Sequence, residues 1–138
     1  MKNIIIVTGG AGFIGSNLIE ELVKFKKYKI ISVDNYSSGS LNNHIKNKKV
    51  LYLKGSTQNI ESLLKIYKSN IHTIFHFGEF SRIYHSFEKI NDCFSSNIQG
   101  SLNLFNFALK NRIKLIYSAT SASLGNSGKD MKIGRAHV

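Results

Sequence analysis

Thr8-Gly9-Gly10-Ala11-Gly12-Phe13-Ile14-Gly15 follows the apolar run Ile4-Ile5-Ile6-Val7 and leads into an apolar-periodic stretch, Ile14, Leu18, Leu22 and Phe25. The octapeptide holds G-x-G-x-x-G at Gly10, Gly12 and Gly15, in the strand, turn and helix setting where that pattern carries meaning. Each glycine has its own task in a dinucleotide site. Gly9 and Gly10 let the chain turn tightly out of the strand, Gly12 admits a diphosphate to the backbone, and Gly15 lets the helix lie close to the strand. The helix start then presents unpaired N–H groups and the positive end of its dipole, so a phosphate needs no lysine there.

A second apolar run, Ile30-Ile31-Ser32-Val33, ends in Asp34, nineteen residues beyond Gly15. A carboxylate at that distance accepts hydrogen bonds from the adenosine ribose hydroxyls of a bound dinucleotide. Its charge repels a 2′-phosphate, so the spacing predicts NAD rather than NADP. The plainer alternative is a tight turn with Asp34 capping a loop. Strand, glycine motif, helix, second strand and acid in this order favour the binding site.

The chain has 138 residues, enough for one core, and 42% of them are hydrophobic. No stretch approaches the roughly 20 apolar residues of a membrane span. Lys2 precedes an apolar run too short for a signal peptide, and that run enters the glycine motif directly, so a cytoplasmic protein off the membrane is expected. The single cysteine, Cys93, excludes an intrachain disulfide and suits a small buried or half-buried position better than a nucleophile. A net charge of +11 invites a nucleic-acid reading. The lysines are scattered, with small clusters at Lys24 to Lys29 and Lys46 to Lys49, and the only arginines are Arg82, Arg112 and Arg135. No nucleic-acid partner is therefore expected.

After Asp34, Asn35-Tyr36-Ser37-Ser38-Gly39-Ser40 is a polar loop, and Asn42 to Lys49 is a basic connection with room for one helical turn. Val50 to Leu53 is a third strand, placed at the margin of the sheet by dinucleotide-fold order. Asn59 is placed to cap a helix burying Ile60, Leu63, Leu64 and Tyr67. Ile71 to Phe77 is a fourth strand, followed by a loop from Gly78. Phe94, Ile98, Leu102, Phe105 and Leu109 recur at helical spacing, predicting one long helix over Asn91 to Lys110 with that stripe as its packed face. Ile113 to Tyr117 is a fifth strand. Strands alternating with helices predict an α/β, Rossmann-type three-layer sandwich on a parallel sheet of about five strands, truncated. His76, at the end of a strand with no other ligand at metal spacing, reads as a hydrogen-bonded core histidine, and no metal is expected. His44, His72 and His85 stand alone.

Four blocks in order resemble one family. They are Thr8 to Gly15 with Val33-Asp34-Asn35, the strand end Phe75-His76-Phe77, Asn97-Ile98-Gln99-Gly100-Ser101-Leu102-Asn103, and Tyr117-Ser118-Ala119-Thr120. These look like the extended short-chain dehydrogenases/reductases, in particular the NAD-dependent epimerases and dehydratases of nucleotide sugars such as UDP-glucose. The resemblance spans Ile4 to Gly125. It implies NAD as cofactor and a nucleotide-sugar substrate for the full-length protein. It makes Gly9, Gly12 and Gly15 the phosphate glycines, with Gly10, Phe13 and Ile14 in the same turn. Asp34 and Asn35 fall at the ribose, Ser56 where the family often has an aspartate at the adenine, and Phe77 and Gly78 beside the nicotinamide side. Asn97 matches the asparagine of the long helix, Thr120 the catalytic hydroxyl, and Ser121 adjoins it at the substrate.

The family's chemistry removes a sugar hydroxyl proton while the neighbouring carbon gives hydride to NAD. A tyrosine and a lysine four residues later supply the base, and no Tyr-x-x-x-Lys follows Thr120 here. The expectation is an incomplete NAD-binding domain over residues 1–132, inactive alone and lacking the C-terminal substrate domain, with 133–138 a non-native tail or else an authentic one. Ser123-Leu124-Gly125 stands where Val-Tyr-Gly is usual, and Gly78-Glu79 where Ala-Ala is usual. Glu79 is either a loop acid or a substrate contact. A nucleotide-sugar reductase or decarboxylase of the same superfamily, or a non-catalytic NAD(H)-binding sensor or structural protein, are the alternatives. The exposed edge of the fifth strand makes a homodimer a further expectation.

Overall fold

The computed structural model describes residues 2–119. Thr120, Ser121 and the expected tail over 133–138 lie outside the described residues. Five strands form one parallel sheet: β1 (Ile4–Thr8), β2 (Lys29–Asp34), β3 (Val50–Lys54), β4 (Ile71–His76) and β5 (Lys114–Tyr117), in the spatial order β3-β2-β1-β4-β5. The order reverses at β1, so the crevice at its C-terminal end is the topological switch point where ligands of such sheets bind. The helices are α1 (Phe13–Leu22), α2 (Ile60–Leu64), α3 (Ile83–Glu88), α4 (Ile90–Phe94) and α5 (Ser101–Lys110), and a π-helical segment over Ser95–Gly100 joins the last two.

Every residue of β1 is buried, as a strand covered on both faces requires. Its side chains alternate between two cores. Ile4 and Ile6 join Ile60, Leu64, Leu104 and Phe107 beneath α2 and α5. Ile5 and Val7 join Ile19 and Leu22 beneath α1. The result is the three-layer α/β sandwich expected. β3 is margin-bound and only half-buried, as its place in the order dictates.

Three local expectations need correction. Asn59 makes no side-chain cap; Ser56 instead accepts from the Gln58 N–H and starts the short turn that leads into α2. The loop after Gly78 contains α3, whose six residues are too few to show helical periodicity. The stripe Phe94, Ile98, Leu102, Phe105 and Leu109 is the exposed face of the long helix, with Leu109 80% exposed, while Ser101, Leu104, Phe107 and Ala108 are buried. Small residues choose that face: a Cβ on Gly100 would collide with Thr57 Oγ1, so the helix sits against the Thr57 turn on its Gly100–Ser101 side.

Candidate functional site

The glycine turn lies between the end of β1 and the start of α1. Gly9 takes φ +71°, and a Cβ there would stand 2.6 Å from the Phe77 carbonyl oxygen. Only glycine fits such a conformation against backbone. A Cβ on Gly10 would strike the Ser32 hydroxyl, and one on Gly15 would strike the Gly9 carbonyl. Close packing of α1 on the sheet therefore rests on Gly10, and Gly15 instead fits the helix against its own turn. A Cβ on Gly12 meets only the Gly9 oxygen, at 3.2 Å, and otherwise points into open space. That open space is the cleft.

The N–H groups of Phe13, Ile14 and Gly15 find no backbone acceptor, because helical bonding begins with the Ser16 N–H to the Gly12 carbonyl. Gly12 makes no side-chain cap and no acid occupies the first turn. Three donors and the positive helix end are thus left to whatever fills the cleft, of about 450 Å³, lined among others by Gly9, Gly12, Phe13, Gly15, Phe77 and Ser118. The Phe13 and Ile14 side chains are largely exposed at the mouth of the cleft.

Asp34 ends β2 beside this turn and is 8% exposed. Its Oδ2 accepts from the Ala11 N–H at 2.9 Å and its Oδ1 from the Tyr36 N–H at 2.8 Å. The carboxylate therefore ties the glycine turn to the β2 loop, a role the spacing did not disclose. Each oxygen retains a lone pair for a hydroxyl. Asp34, Asn35, Ser56 and Gly78 line one chamber. Its lining is polar and carboxylate-bearing, which suits a ribose diol.

Asn97 faces the loop after β4. Its Oδ1 accepts from the Phe80 N–H at 2.6 Å and its Nδ2 donates to the Phe80 carbonyl at 2.9 Å, so the amide clamps that loop like a strand partner. Asn97 and Ser96, whose hydroxyl bonds the Gly78 carbonyl, both lie in the π-helical segment; such segments recur at functional sites.

His76 is the hydrogen-bonded core histidine expected, but sequence reasoning missed the polar chain it centres. The Gly78 N–H donates to Thr8 Oγ1 at 3.2 Å, and Thr8 Oγ1 lies 2.6 Å from His76 Nδ1. His76 Nε2 lies 2.9 Å from Ser101 Oγ, which donates to Glu79 Oε1 at 3.3 Å. The Tyr117 hydroxyl donates to the same oxygen at 2.7 Å. Directions follow from the ends inward. Ser101 gives its one proton to Glu79, so His76 donates from Nε2 and accepts at Nδ1 from Thr8. His76, fully buried, is thus the neutral Nε2–H tautomer. Burial pushes its imidazole below the ordinary range, against the pull of Glu79. The bond to Glu79, aided by burial, raises the Tyr117 phenol. Thr8 and His76 pair across β1 and β4, and two polar residues ending adjacent apolar strands were the available signal.

Among the described residues no three His, Cys, Asp or Glu side chains converge as a metal site, and no helix is long and apolar enough to cross a membrane.

A switch-point cleft under a glycine turn, with free helix-start donors and a carboxylate ending the second strand, defines a dinucleotide-binding α/β protein. The chain belongs to the NAD dependent epimerase/dehydratase family, which it matches over residues 5–136. It is 33% identical over 133 residues to a UDP-N-acetyl-alpha-D-glucosaminuronate decarboxylase of Bacillus cytotoxicus, covering 91% of this chain and 39% of the relative. The structure of UDP-glucose 4-epimerase from Thermotoga maritima with UDP-glucose matches with a TM-score of 0.77 and 32% identity, covering 91% of this chain and 41% of that one. That of UDP-glucose 4-epimerase from Thermus thermophilus in complex with NAD matches with a TM-score of 0.72 and 26% identity, covering 85% and 37%. The chain thus spans about two fifths of the length of these relatives.

Proposed function

We propose that this chain is the NAD-holding part of a nucleotide-sugar epimerase or dehydratase. The observation that carries the reading is the trio of unclaimed N–H groups at Phe13, Ile14 and Gly15, facing the one glycine whose missing Cβ opens the cleft. Gly9, Gly10 and Gly12 shape the turn around the diphosphate. Asp34, with Asn35, receives the adenosine ribose, and Ser56 offers a hydroxyl to the adenine. Phe77, Gly78 and Asn97 shape the wall toward the nicotinamide. NAD supplies a hydride acceptor for a sugar carbon when bound. Thr120 and Ser121 meet the sugar, Thr120 at the oxygen losing its proton. An aliphatic hydroxyl has no acid–base range near neutrality, and no tyrosine follows Tyr117 in this chain, so the 138 residues alone turn over no sugar.

The decarboxylase similarity favours a second reading, a nucleotide-sugar decarboxylase of the same superfamily, since the cofactor half serves both reactions. We place the protein in the cytoplasm and, through the fifth-strand edge or the neighbouring helix face, in a homodimer.

Calorimetric titration of the chain with NAD tests the site. Asp34→Ala is expected to weaken NAD about tenfold or more, the worth of one or two lost bonds to a carboxylate. Asp34→Asn should weaken it less and narrow the preference for NAD over NADP. Unchanged affinity in Asp34→Ala overturns the assignment.

A further inference from the structure

Glu79 is half-buried, and its carboxylate is met by hydroxyls alone. Among the described residues no lysine or arginine pairs with it; the ion pairs there are Lys24–Glu21, His85–Glu88 and Lys110–Glu61. His76, which Ser101 links to Glu79, is the neutral tautomer derived above and brings no countercharge. Arg82 lines the same cleft but forms no ion pair with Glu79. A partly desolvated carboxylate without a cation is an unbalanced charge, and its influence extends further than it would in water.

Glu79 borders both the Asp34 chamber and the cleft under the glycine turn, and its side-chain bonds and the topology point its carboxylate to the β4–β5 side. Along the C-terminal edge of the sheet, Asp34 ends β2 on one side of the glycine turn, while Glu79 follows β4 on the other. The Glu79 side chain reaches on toward Tyr117 at the end of β5. A dinucleotide with its diphosphate over the turn and adenosine at Asp34 must extend its other nucleoside toward β4 and β5. Oxidised nicotinamide carries a positive ring charge, and the reduced ring is neutral.

We propose that Glu79 sets the redox preference of this site: its carboxylate is the countercharge of the oxidised nicotinamide and makes the protein hold NAD+ more tightly relative to NADH. The inference rests on the binding mode proposed above and adds the carboxylate that, among the described residues lining the cleft, favours the oxidised form; the Arg82 charge in the same cleft acts in the opposite sense and is left in place by the test below. Tyr117 and Ser101 act on it as positioning residues. Their donated bonds aim the carboxylate and keep it in place without cancelling its charge. An apolar or small residue at position 79, as the family pattern has, would leave the two forms undistinguished by charge.

The test is titration of the 138-residue chain with NAD+ and, separately, with NADH, followed by calorimetry and by nicotinamide fluorescence for the reduced form. The readout is the ratio of the two dissociation constants. Glu79→Gln keeps an acceptor for Tyr117 and Ser101 but removes the charge. It is expected to shift the ratio about fivefold toward NADH, as one unit charge several ångströms away does at an intermediate effective dielectric. By linkage that equals about 20 mV in the potential of the bound two-electron couple. Tyr117→Phe removes a bond and leaves the charge, so it should move the ratio less than about twofold. Should Glu79→Gln not fold, judged by circular dichroism, Glu79→Ala is read in the same way; should neither fold, Tyr117→Phe carries the decision, since a fivefold shift there would show hydrogen bonding and not charge at work. A ratio unchanged by removing the carboxylate, or affinities for both forms moved equally, overturns the proposal while leaving the NAD site intact. Wild-type chain that binds neither form overturns the binding mode, and this inference with it.

Discussion

At the scale of single residues, the glycines separate fold from function because each missing Cβ meets something different. Gly9→Ala puts a side chain at φ +71° and against the Phe77 carbonyl, so it should cost at least about 2 kcal/mol of stability, read from the urea midpoint. Gly12→Val meets the Gly9 oxygen closely, its Cβ at 3.2 Å, and otherwise points into the cleft, so it should lose less stability than Gly9→Ala while NAD affinity falls about tenfold or more. Gly12→Val that binds NAD normally, or Gly9→Ala as stable as wild type, would contradict this division. Ser32 makes the opposite case. Its hydroxyl is buried under Gly10 with no hydrogen-bond partner, so Ser32→Ala is expected to stabilise the chain by about 1 kcal/mol. A lower melting temperature for Ser32→Ala would mean the hydroxyl has a partner. The glycine motif and Asp34 were legible in the sequence because spacing alone positions them along a strand, a turn and a helix. That Gly10 faces Ser32, and that Asp34 holds the turn through Ala11, depends on how neighbouring strands align, which no local pattern encodes.

At the scale of elements, all five strands announced themselves as short apolar runs, β-branched in β1, β2 and β4, while the long helix was legible in extent and illegible in orientation. Its residues carry two apolar stripes, Phe94-Ile98-Leu102-Phe105-Leu109 and Leu104-Phe107-Ala108, and the larger one is exposed. Size misleads here because the approach of a helix to a sheet is limited by its smallest residues, Gly100 and Ser101, whose neighbours Thr57 and His76 lie far away in the chain. Ser101 also completes the chain of bonds to His76, so β4 and α5 are joined by a histidine that must stay neutral. That requirement sets a pH dependence. His76 binds its proton less readily folded than unfolded, because burial depresses its pKa from 6.5. The unfolded state therefore takes up the proton first as pH falls through 6.5, and stability present above that value declines toward the lower folded pKa. The urea midpoint should fall between pH 7.5 and pH 5.5, and His76→Gln, which keeps a donor and an acceptor, should flatten that slope. Equal slopes in the two proteins would assign the titration elsewhere.

At the scale of the whole molecule, two surfaces are candidates for the proposed contact between copies, and magnitudes choose between them. Among the described residues β5 pairs with β4 alone, so one side of Lys114–Tyr117 is unpaired backbone. A four-residue edge offers a few hydrogen bonds at about 1 kcal/mol each. The helix face offers five large side chains, each worth about 1.5–3 kcal/mol on full burial. Self-association is therefore expected through the helix face first, with the strand edge secondary. A net charge of +11 on every copy opposes it, since like-charged molecules repel over a Debye length of about 10 Å in 0.1 M salt. At 1 M salt that length shrinks to about 3 Å while apolar burial is undiminished, so association should strengthen as salt is added. Sedimentation equilibrium at 0.1 and 1 M sodium chloride reads this directly. Leu102→Lys with Leu109→Lys should leave a monomer at both salts, whereas Ile116→Lys on the edge strand should reduce association only slightly. If the edge variant is the one that yields monomers, or if salt weakens the contact, then backbone pairing or ion pairs hold the copies together, and the exposed stripe of the long helix is not what joins them.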